Sequence, residues 1–365
     1  MAASHLQGRD VALIDSNAKI GAKILISGGG KCNLTNRFAS SENYVGDKAF
    51  IETALKAYPA SSTLTFVKEH QLKLEERNHG QLFCANSAKE LVSIFGRLSA
   101  FCTFYLSTKV LHVSKEKQFI IHTDRGEIGA KKLVIASGGL SYASVGASGI
   151  GYEIAESFGH TIITPSPALV GFTLQKEQFW MKELSGIAFP VSLHVEGKRF
   201  SENLLFAHKG ISGPVVLSGS LYWKKGTIAI DFLPHVKEIN VLFKTHAHKQ
   251  ITTALGLPKR FTKAFLDAYA IEDKALSKLT LEEKKRVLTL KNYTFSPAGN
   301  FGFTKAEVTR GGVSTAEVDA KSFESQLCPN LYFIGEVLDV TGELGGFNFQ
   351  WAFASGISFA ASLNR

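Results

Sequence analysis

The sequence predicts a doubly wound α/β domain that is interrupted by an inserted, β-rich and helical domain. An apolar strand at Val11–Asp15 ends in a carboxylate, where a dinucleotide-binding unit places its ribose-binding acid. Three consecutive glycines, Gly28–Gly30, follow shortly after it, and a second apolar strand at Leu331–Glu336 lies near the end of the chain. Between them the composition changes at Pro165, which predicts the start of the insertion.

The composition is that of a globular protein, with 45% hydrophobic and 20% charged residues in 365. This length allows two domains and a large core. No run of 18 or more apolar residues occurs, so we expect no membrane-spanning segment. The first residues, MAASHLQGRD, lack an apolar signal core, which predicts a cytoplasmic protein.

The formal net charge of +9 predicts an anionic partner, which a dinucleotide or a nucleic acid would satisfy. The basic residues are scattered and no basic motif is interleaved with aromatic residues, so nucleic acid is the less favoured partner. The four cysteines, Cys32, Cys84, Cys102 and Cys328, form no C-x-x-C pair. This spacing argues against a zinc ribbon and against a dithiol redox centre of the disulfide-reductase kind.

The triple glycine Gly28–Gly30 is the most informative stretch of the chain. Ordering three glycines costs more chain entropy than ordering almost any other tripeptide, and a plain surface turn needs one glycine. Close approach of backbone N–H groups to a flat or anionic ligand would explain three. Lys31 and Asn33 add a cation and a short donor directly afterwards.

Two long segments carry a resemblance to a known family. Lys23–Asn36, KILISGGGKCNLTN, and Gly335–Trp351, GEVLDVTGELGGFNFQW, resemble the BaiN-type NAD(P)/FAD-dependent oxidoreductases, also called aminoacetone-oxidase-family FAD-binding enzymes. The resemblance implies a glutathione-reductase-like FAD-binding domain and a flavin that is reduced by NAD(P)H. It covers nearly the whole chain.

One part of the family pattern is missing. In the family a first strand and a G-x-G-x-x-G turn would precede the position of Met1. Either the recorded start lies downstream of the real one, or the segment is lost, and we favour the first explanation. A protein that lacks the segment should bind FAD poorly, because the turn forms the pyrophosphate cradle. The mass of the native protein tests this expectation.

Between the two family segments, the periodicity predicts the following elements. Helical spacing covers 47–72, and a capping box at Ser87–Glu90 opens a helix through Leu98. Alternating residues at 109–113, 118–123 and 127–130 predict a β-meander. The strand Lys132–Gly139 that follows ends in Ala136-Ser137-Gly138-Gly139, which resembles the A-T-G-G motif of flavoproteins with two dinucleotide domains.

The inserted domain is predicted at 165–303, between cofactor-domain parts at 1–164 and 304–365. Its first part, 165–235, is predicted as a barrel-like sheet, and 236–293 as a helical subdomain with a capping box at Thr280–Glu283. The segment Leu205–Pro214 resembles the family block L-F-T-H-x-G-x-S-G-P. Its His208 is the best acid/base candidate of the inserted domain, since imidazole titrates near neutrality, although the sequence slightly favours a turn-capping role for it.

The resemblance and the chemistry of the residues together give one set of site residues. The predicted FAD contacts are Asp15, Ser16, Lys23, Gly28, Gly29, Gly30, Lys31, Cys32, Asn33, Val110, Ala136, Ser137, Gly138, Gly335, Glu336, Asp339, Gly345, Gly346, Asn348 and Gln350. The catalytic candidates are His208, Lys31 and Arg310. Asp339 is expected near the ribityl chain, and a final helix predicted at Trp351–Leu363 is expected to direct its N-terminus at the pyrimidine edge of the flavin.

The sequence therefore predicts an FAD-dependent oxidoreductase that passes hydride to a small conjugated carbonyl compound. A flavin-dependent amino-ketone oxidase that uses oxygen is the alternative within this class. A non-catalytic relic of the fold that binds an anionic partner such as RNA is the alternative outside it. The sequence leaves open the substrate, the choice between NADH and NADPH, and the oligomeric state.

Overall fold

The computed structural model describes residues 1–364, which divide into two compact units. The first unit combines 1–167 with 307–364, and the second comprises Ala168–Ala306. Both boundaries lie three residues later than the predicted insertion at 165–303.

The strands of the described chain run in the following order. They are β1 (Ala12–Ile14), β2 (Asn33–Asn36), β3 (Tyr44–Val45), β4 (Leu74–Arg77), β5 (Gln81–Cys84), β6 (Thr103–Tyr105), β7 (Val110–Lys115), β8 (Phe119–Thr123), β9 (Gly126–Ala130), β10 (Leu133–Ile135), β11 (Ile162–Ala168), β12 (Phe172–Thr173), β13 (Ala188–Val195), β14 (Lys198–Ala207), β15 (Gly210–Ser212), β16 (Ile228–Asp231), β17 (Tyr293–Phe295), β18 (Gly299–Asn300), β19 (Val308–Val313), β20 (Leu331–Phe333) and β21 (Thr341–Gly342).

The α-helices are α1 (Ala22–Ile26), α2 (Lys48–Ala57), α3 (Ala60–Glu69), α4 (Ala88–Leu98), α5 (Ile150–Ser157), α6 (Pro214–Ser220), α7 (Ile239–Thr245), α8 (Ile251–Ala254), α9 (Lys259–Ala268), α10 (Leu281–Leu288) and α11 (Phe347–Ser362). Short 3-10 turns connect several of them. Among residues 1–364, no helix combines the length and the apolar character that crossing a bilayer requires.

The parallel pairing expected of a Rossmann-type domain is present in the first unit. Strand β1 pairs in parallel with β6, and β10 pairs in parallel with β20. Within residues 1–364 no strand joins these two ladders into one sheet. The prediction of a buried strand at Val11–Asp15 is wrong in one respect, because Ala12 is exposed and Leu13 and Ile14 are only partly covered. A strand with one neighbour leaves its other edge uncovered.

Several element predictions for the first unit are confirmed and others are corrected. The β-meander is formed by β7, β8 and β9, which pair antiparallel in that order. The helical stretch at 47–72 is two helices, because Pro59 is the N-cap of α3 and interrupts the first. The last helix begins at Phe347 rather than Trp351, since Gly346 adopts a left-handed conformation, φ +93°, and starts the helix there.

The core of the first unit is built around the final helix. Trp351 is 1% exposed and contacts the rings of Tyr44, Phe50 and Phe323 with centroid separations of 6.0–6.4 Å. Its indole N–H donates to the carbonyl of Gly335 at 3.0 Å. Burial of aromatic side chains of this size is among the largest stabilising contributions available to a core, so α11 and the strand end at Gly335 are fixed together.

The second unit is a seven-stranded antiparallel sheet with helices inserted between two of its strands. The strand order is β17-β16-β13-β14-β15-β12-β18, so the strands β17 and β18 that follow the helices return to opposite edges. Phe261 of α9 is fully buried against Phe189, Phe206 and Phe232. The predicted capping box that opens α10 is confirmed, with Thr280 and Glu283 bonding each other's backbone N–H groups.

Candidate active site

The triple glycine forms a tight turn between α1 and β2. Gly28, Gly29 and Gly30 have φ values of +56°, +67° and +85°. This left-handed conformation costs a side-chain-bearing residue about 1–2 kcal/mol at each position, which explains why three glycines occur in succession. A Cβ on Gly29 would meet no heavy atom within 4 Å, so the backbone there faces open space.

The two distant family segments lie side by side. Thr35 Oγ1 donates to Gln350 Oε1 at 2.7 Å, and Asn36 Nδ2 donates to the carbonyl of Gly345 at 3.0 Å. A Cβ on Gly346 would lie 2.4 Å from the carbonyl oxygen of Thr35, so only glycine permits this approach. Because the contact is direct, a flavin would bind beside this junction and not between these residues.

Two predicted contact residues use their amides within the protein. Gln350 is fully buried; its Oε1 also accepts from Thr63 Oγ1 at 2.7 Å, and its Nε2 donates to the carbonyl of Tyr58 at 2.9 Å. Asn348 exchanges hydrogen bonds with the backbone of Gly342 at 2.8 and 2.9 Å. Both side chains therefore position the start of α11.

Glu336 connects three predicted contact segments. Its Oε2 accepts from Lys23 Nζ at 2.6 Å, and its Oε1 accepts from the backbone N–H of Thr309 at 2.9 Å. Gly138 lies close to the same carboxylate, because a Cβ there would be 3.8 Å from Glu336 Oε2. Thr309 Oγ1 in turn accepts from the N–H of Leu140 at 2.8 Å. The arrangement fixes the loop after β10, where Ala136 and Ser137 are exposed, to the end of β20.

Asp339 is a half-buried carboxylate in the same region. Burial raises its pKa above the usual range, and the nearby positive charge of Arg310 opposes that change. Tyr152 is a third polar side chain here: burial, then the charges of Glu336 and Asp339, raise its pKa well above the ordinary value. The Tyr152 hydroxyl is buried and has no hydrogen-bond partner among the described residues. Sequence patterns did not indicate Tyr152, because a single tyrosine in a short helix has no recognisable motif.

The residues predicted for the adenosine end also cluster. Asp15 Oδ1 accepts from the backbone N–H of Asn17 at 2.8 Å and from its side-chain amide at 3.0 Å. The Asp15 carbonyl accepts from the N–H of Thr108 at 3.0 Å, two residues before Val110. Ser16 is exposed, and a Cβ on Gly146 would lie 3.1 Å from its hydroxyl. Asp15, Ser16 and Val110 therefore lie at one edge of the first unit.

The three catalytic candidates occupy different settings. Lys31 Nζ pairs with Glu75 Oε2 at 2.9 Å, and Arg77 followed by Lys31 lowers the pKa of Glu75 to about 2. Arg310 lies on β19 near Asp339. His208 is exposed in the turn between β14 and β15 of the second unit. The first two lie in the first unit, and His208 lies in the second.

The comparison with protein families shows to which family this chain belongs. A model of the "HI0933-like protein Rossmann domain" matches residues 1–362. The chain belongs to this family. The predicted family resemblance and the α/β Rossmann-type fold are thereby confirmed, and the HI0933-like chain is in its broad class an FAD-dependent oxidoreductase.

Three relatives of the HI0933-like chain have named activities. The chain is 40% identical to "Ribosomal RNA dihydrouridine synthase" of Escherichia coli over 98% of this chain and 92% of that protein. It is 37% identical to the protein of the same name from Haemophilus influenzae, over 98% and 93%. It is 30% identical to "3-dehydro-bile acid delta(4,6)-reductase" of Clostridium scindens, over 95% and 90%.

The site of the HI0933-like chain fits a flavin in two respects. Gly29 is exposed, has positive φ and would place a Cβ in open space, so the glycine turn presents bare backbone. Asn33 Oδ1 is a buried acceptor without a hydrogen-bond partner in the described chain, while Asn33 Nδ2 donates to Gln81 at 3.0 Å. An unpaired buried acceptor is costly unless a ligand donor satisfies it, and the flavin ring carries such an N–H donor.

The structure also reveals a contact that the sequence pattern did not predict. Cys32 follows the glycine turn, and Cys84 ends β5; both side chains are fully buried, and the interaction of the two thiols raises the pKa of Cys32 and lowers the pKa of Cys84. They are 52 positions apart in the sequence, so a search for C-x-x-C spacing misses them. A signal that could have found them is the strand pairing of β2 with β5, which brings these two positions together.

Proposed function

We propose that this protein is an FAD-dependent reductase that converts a uridine of ribosomal RNA to dihydrouridine, with NAD(P)H as electron donor. The observation that carries the proposal is the identity of 40% and 37% with two ribosomal RNA dihydrouridine synthases over 98% of the chain. The bile-acid reductase is less similar, at 30%.

The reaction chemistry unites these relatives. The uracil C5=C6 bond is conjugated to a carbonyl, and so is a Δ(4,6) double bond beside a 3-oxo group. FAD supplies the hydride chemistry in such reductions. Hydride addition at C6 of uracil moves negative charge on to the C4 carbonyl oxygen, and a proton added at C5 completes dihydrouridine. The predicted conjugated-carbonyl acceptor is thus retained, while an amino-ketone oxidase stays a prediction from resemblance alone.

This chain supplies groups for each part of that chemistry. The N-terminus of α11 and the cations Lys31 and Arg310 stabilise the negative charge that develops during hydride transfer. Asp15 binds the ribose of the cofactor, and the glycine turn at Gly28–Gly30 approaches the flavin. His208 is the proposed proton donor.

The distribution of charge supports a polyanionic substrate. The second unit contains 20 Lys and Arg residues against 11 Asp and Glu, whereas the rest of the chain contains 21 of each. The basic residues are scattered along the sequence, yet the whole net charge of +9 lies in one folded unit. Concentrated positive charge favours binding to a phosphate backbone.

The test is a comparison of two substrates. The holoenzyme is incubated anaerobically with NADH or NADPH and with ribosomal RNA from cells in which its gene is deleted, and dihydrouridine is measured by mass spectrometry of nucleosides. We expect dihydrouridine to be absent at one position in that RNA and to be restored by the enzyme. An unchanged RNA, together with reduction of a 3-oxo-Δ4,6 steroid, would instead assign the small-molecule activity.

The electron donor is tested separately. Anaerobic addition of NADH and of NADPH to the oxidised holoenzyme should bleach the flavin absorbance with at least one of the two. If neither reduces the flavin while dithionite does, NAD(P)H is not the donor.

A further inference from the structure

Cys32 and Cys84 are paired by the backbone as well as by their side chains. The N–H of Cys84 donates to the carbonyls of Lys31 at 2.9 Å and Cys32 at 3.3 Å. In the antiparallel register of β2 and β5, Asn33 lies opposite Phe83, so Cys32 and Cys84 are the next opposed residues. The two thiols are thus held together by the sheet and not by chance contact.

This placement is compatible with an S–S bond. The 3.3 Å contact between the Cys84 N–H and the Cys32 carbonyl brings the two backbones together, and a disulfide joins residues whose Cα atoms are about 4.4–6.8 Å apart. All four cysteines are free thiols, and all are buried. Cys102 and Cys328 differ from the pair, because Cys102 lies near the N-terminal amine and Cys328 Sγ contacts Lys115 Nζ at 3.3 Å.

The two thiols are chemically unequal. The hydrogen bond from Cys32 lowers the pKa of Cys84, while the same bond and burial raise the pKa of Cys32. Cys84 is therefore the thiol that ionises first, and the thiolate is the reactive form in thiol–disulfide chemistry. Cys32 serves as its proton-bearing partner.

The environment of the pair limits its reaction partners. Both side chains are 0% exposed, so dissolved thiols and oxidants have no direct path to them in the folded state. Cys32 also has φ +49°, an unfavourable conformation for a residue with a side chain, and it is held there by a bond from its N–H to the carbonyl of Ser27 at 3.0 Å. Strained residues of this kind concentrate at functional sites. Cys32 follows directly on the glycine turn that fits the flavin.

We propose that Cys32 and Cys84 form a redox-active dithiol that exchanges two electrons with the bound flavin. The dithiol loses two electrons and two protons as the S–S bond forms, and oxidised FAD takes up both on becoming reduced. The reverse transfer from reduced FAD breaks the S–S bond and returns both thiols. This site goes beyond the proposed function and rests only on the flavin-binding part of it.

The test measures the electron capacity of the holoenzyme. The protein is oxidised with ferricyanide, which takes electrons from the flavin and so reaches the dithiol only through it; the protein is then freed of reagent and titrated anaerobically with dithionite while the flavin absorbance is followed. We expect the wild type to take up about two two-electron equivalents per FAD, and Cys84→Ser about one. Cys102→Ser is the matched control and should keep two equivalents.

A second measurement does not depend on the flavin. Protease digestion of the ferricyanide-oxidised wild type, with free thiols alkylated during unfolding and without reductant, should yield a peptide pair linked through Cys32 and Cys84, which dithiothreitol separates. One equivalent per FAD in the wild type, or no linked peptide, overturns the proposal. If Cys84→Ser does not retain FAD, Cys32→Ser and the peptide map decide.

The outcomes also distinguish a failure of the dithiol proposal from a failure of the proposed function. Two equivalents per FAD without reduction of ribosomal RNA would support the dithiol and reject the proposed function. Reduction of ribosomal RNA by an enzyme that takes up only one equivalent per FAD would support the proposed function and reject the dithiol.

Discussion

The two units of the molecule differ in charge and in what their sequences encode. The first unit, 1–167 with 307–364, is close to electrically balanced, with 20 basic and 21 acidic residues, and contains every predicted FAD contact. The second has 20 basic and 11 acidic residues and contains one catalytic candidate, His208. Local motifs therefore identify the cofactor in one unit, and overall charge indicates the class of partner in the other.

The two units also differ in whether their basic side chains form ion pairs. In the first unit, cations at the site are paired, as in Lys23 with Glu336 at 2.6 Å and Lys31 with Glu75 at 2.9 Å. In the second unit, Lys244, Lys249 and Lys278 are exposed and make no ion pair within residues 1–364. They lie in adjoining segments, since the carbonyl of Lys249 accepts from the N–H of Leu276 at 3.1 Å. Unpaired cations in one place are available to a polyanion.

The largest effect is expected where the two family segments of the first unit meet. In Gly346→Ala the new methyl group would collide with the Thr35 carbonyl at 2.4 Å, in a left-handed conformation. We expect a loss of about 2–5 kcal/mol in the free energy of unfolding and loss of bound FAD. Urea denaturation and the ratio of flavin to protein absorbance measure both.

The control for this substitution lies in the second unit. Gly197 has φ +73°, but a Cβ added to it would meet no heavy atom within 4 Å. Gly197→Ala should therefore cost only about 1–2 kcal/mol and leave FAD bound. Equal losses in both variants would show that backbone conformation, and not the junction, determines the effect.

The next effect tests whether the second unit contributes to chemistry as well as binding. If His208 donates the proton, His208→Ala should lower kcat by about 10²-fold or more while flavin content stays unchanged. His194→Ala is the matched control, because His194 is also an exposed histidine of the second unit. An unchanged kcat in His208→Ala would leave the second unit with a binding role alone.

A smaller effect is expected from the exposed lysines of the second unit. Replacing Lys244, Lys249 and Lys278 with Gln should weaken binding to ribosomal RNA. It should also reduce the slope of log K against log salt by about 2, since each contact with a single-stranded phosphate contributes about 0.7. The KM for RNA should rise, while reduction of the flavin by NAD(P)H stays as in the wild type.

The matched control for the lysines carries the same change of charge in the first unit. Lys19, Lys68 and Lys117 are exposed there, and replacing them with Gln should leave the salt slope unchanged. If both triple variants weaken binding equally, total charge matters and its location does not.

The sequence was informative where backbone conformation dictates residue type. Gly28–Gly30 and Gly346 were recognisable because their positive φ angles and close approaches exclude side chains. The strand end at Leu331–Phe333, its parallel partner β10 and the meander were predictable from periodicity.

Features that depend on tertiary contact were not predictable. Gln350 was expected to donate to the cofactor, but its amide bonds Thr35, Thr63 and Tyr58 in the core. The Cys32–Cys84 pair arises from strand pairing between positions far apart in sequence. The excess of positive charge in the second unit, by contrast, could have been read from the sequence, because this unit is the continuous segment Ala168–Ala306.

The smallest effect is expected from a buried histidine of the first unit. His160 Nε2 lies 2.7 Å from Ser325 Oγ, and its Nδ1 lies 3.3 Å from Glu317. Burial lowers the pKa of His160 below its ordinary value, and the charge of Glu317 opposes this change. The folded state therefore keeps His160 neutral at a pH at which the unfolded chain binds a proton, near its usual pKa of about 6.5.

Because the unfolded state binds more protons in this window, the free energy of unfolding should fall as the pH is lowered from about 7.5 to about 5.5. His160→Gln removes the titrating group, so its free energy of unfolding should fall less than that of the wild type over the same range. Urea midpoints at the two pH values measure the difference, and exposed His194→Gln should match the wild type. Equal pH slopes in His160→Gln and wild type would mean that His160 is protonated to the same extent in both states.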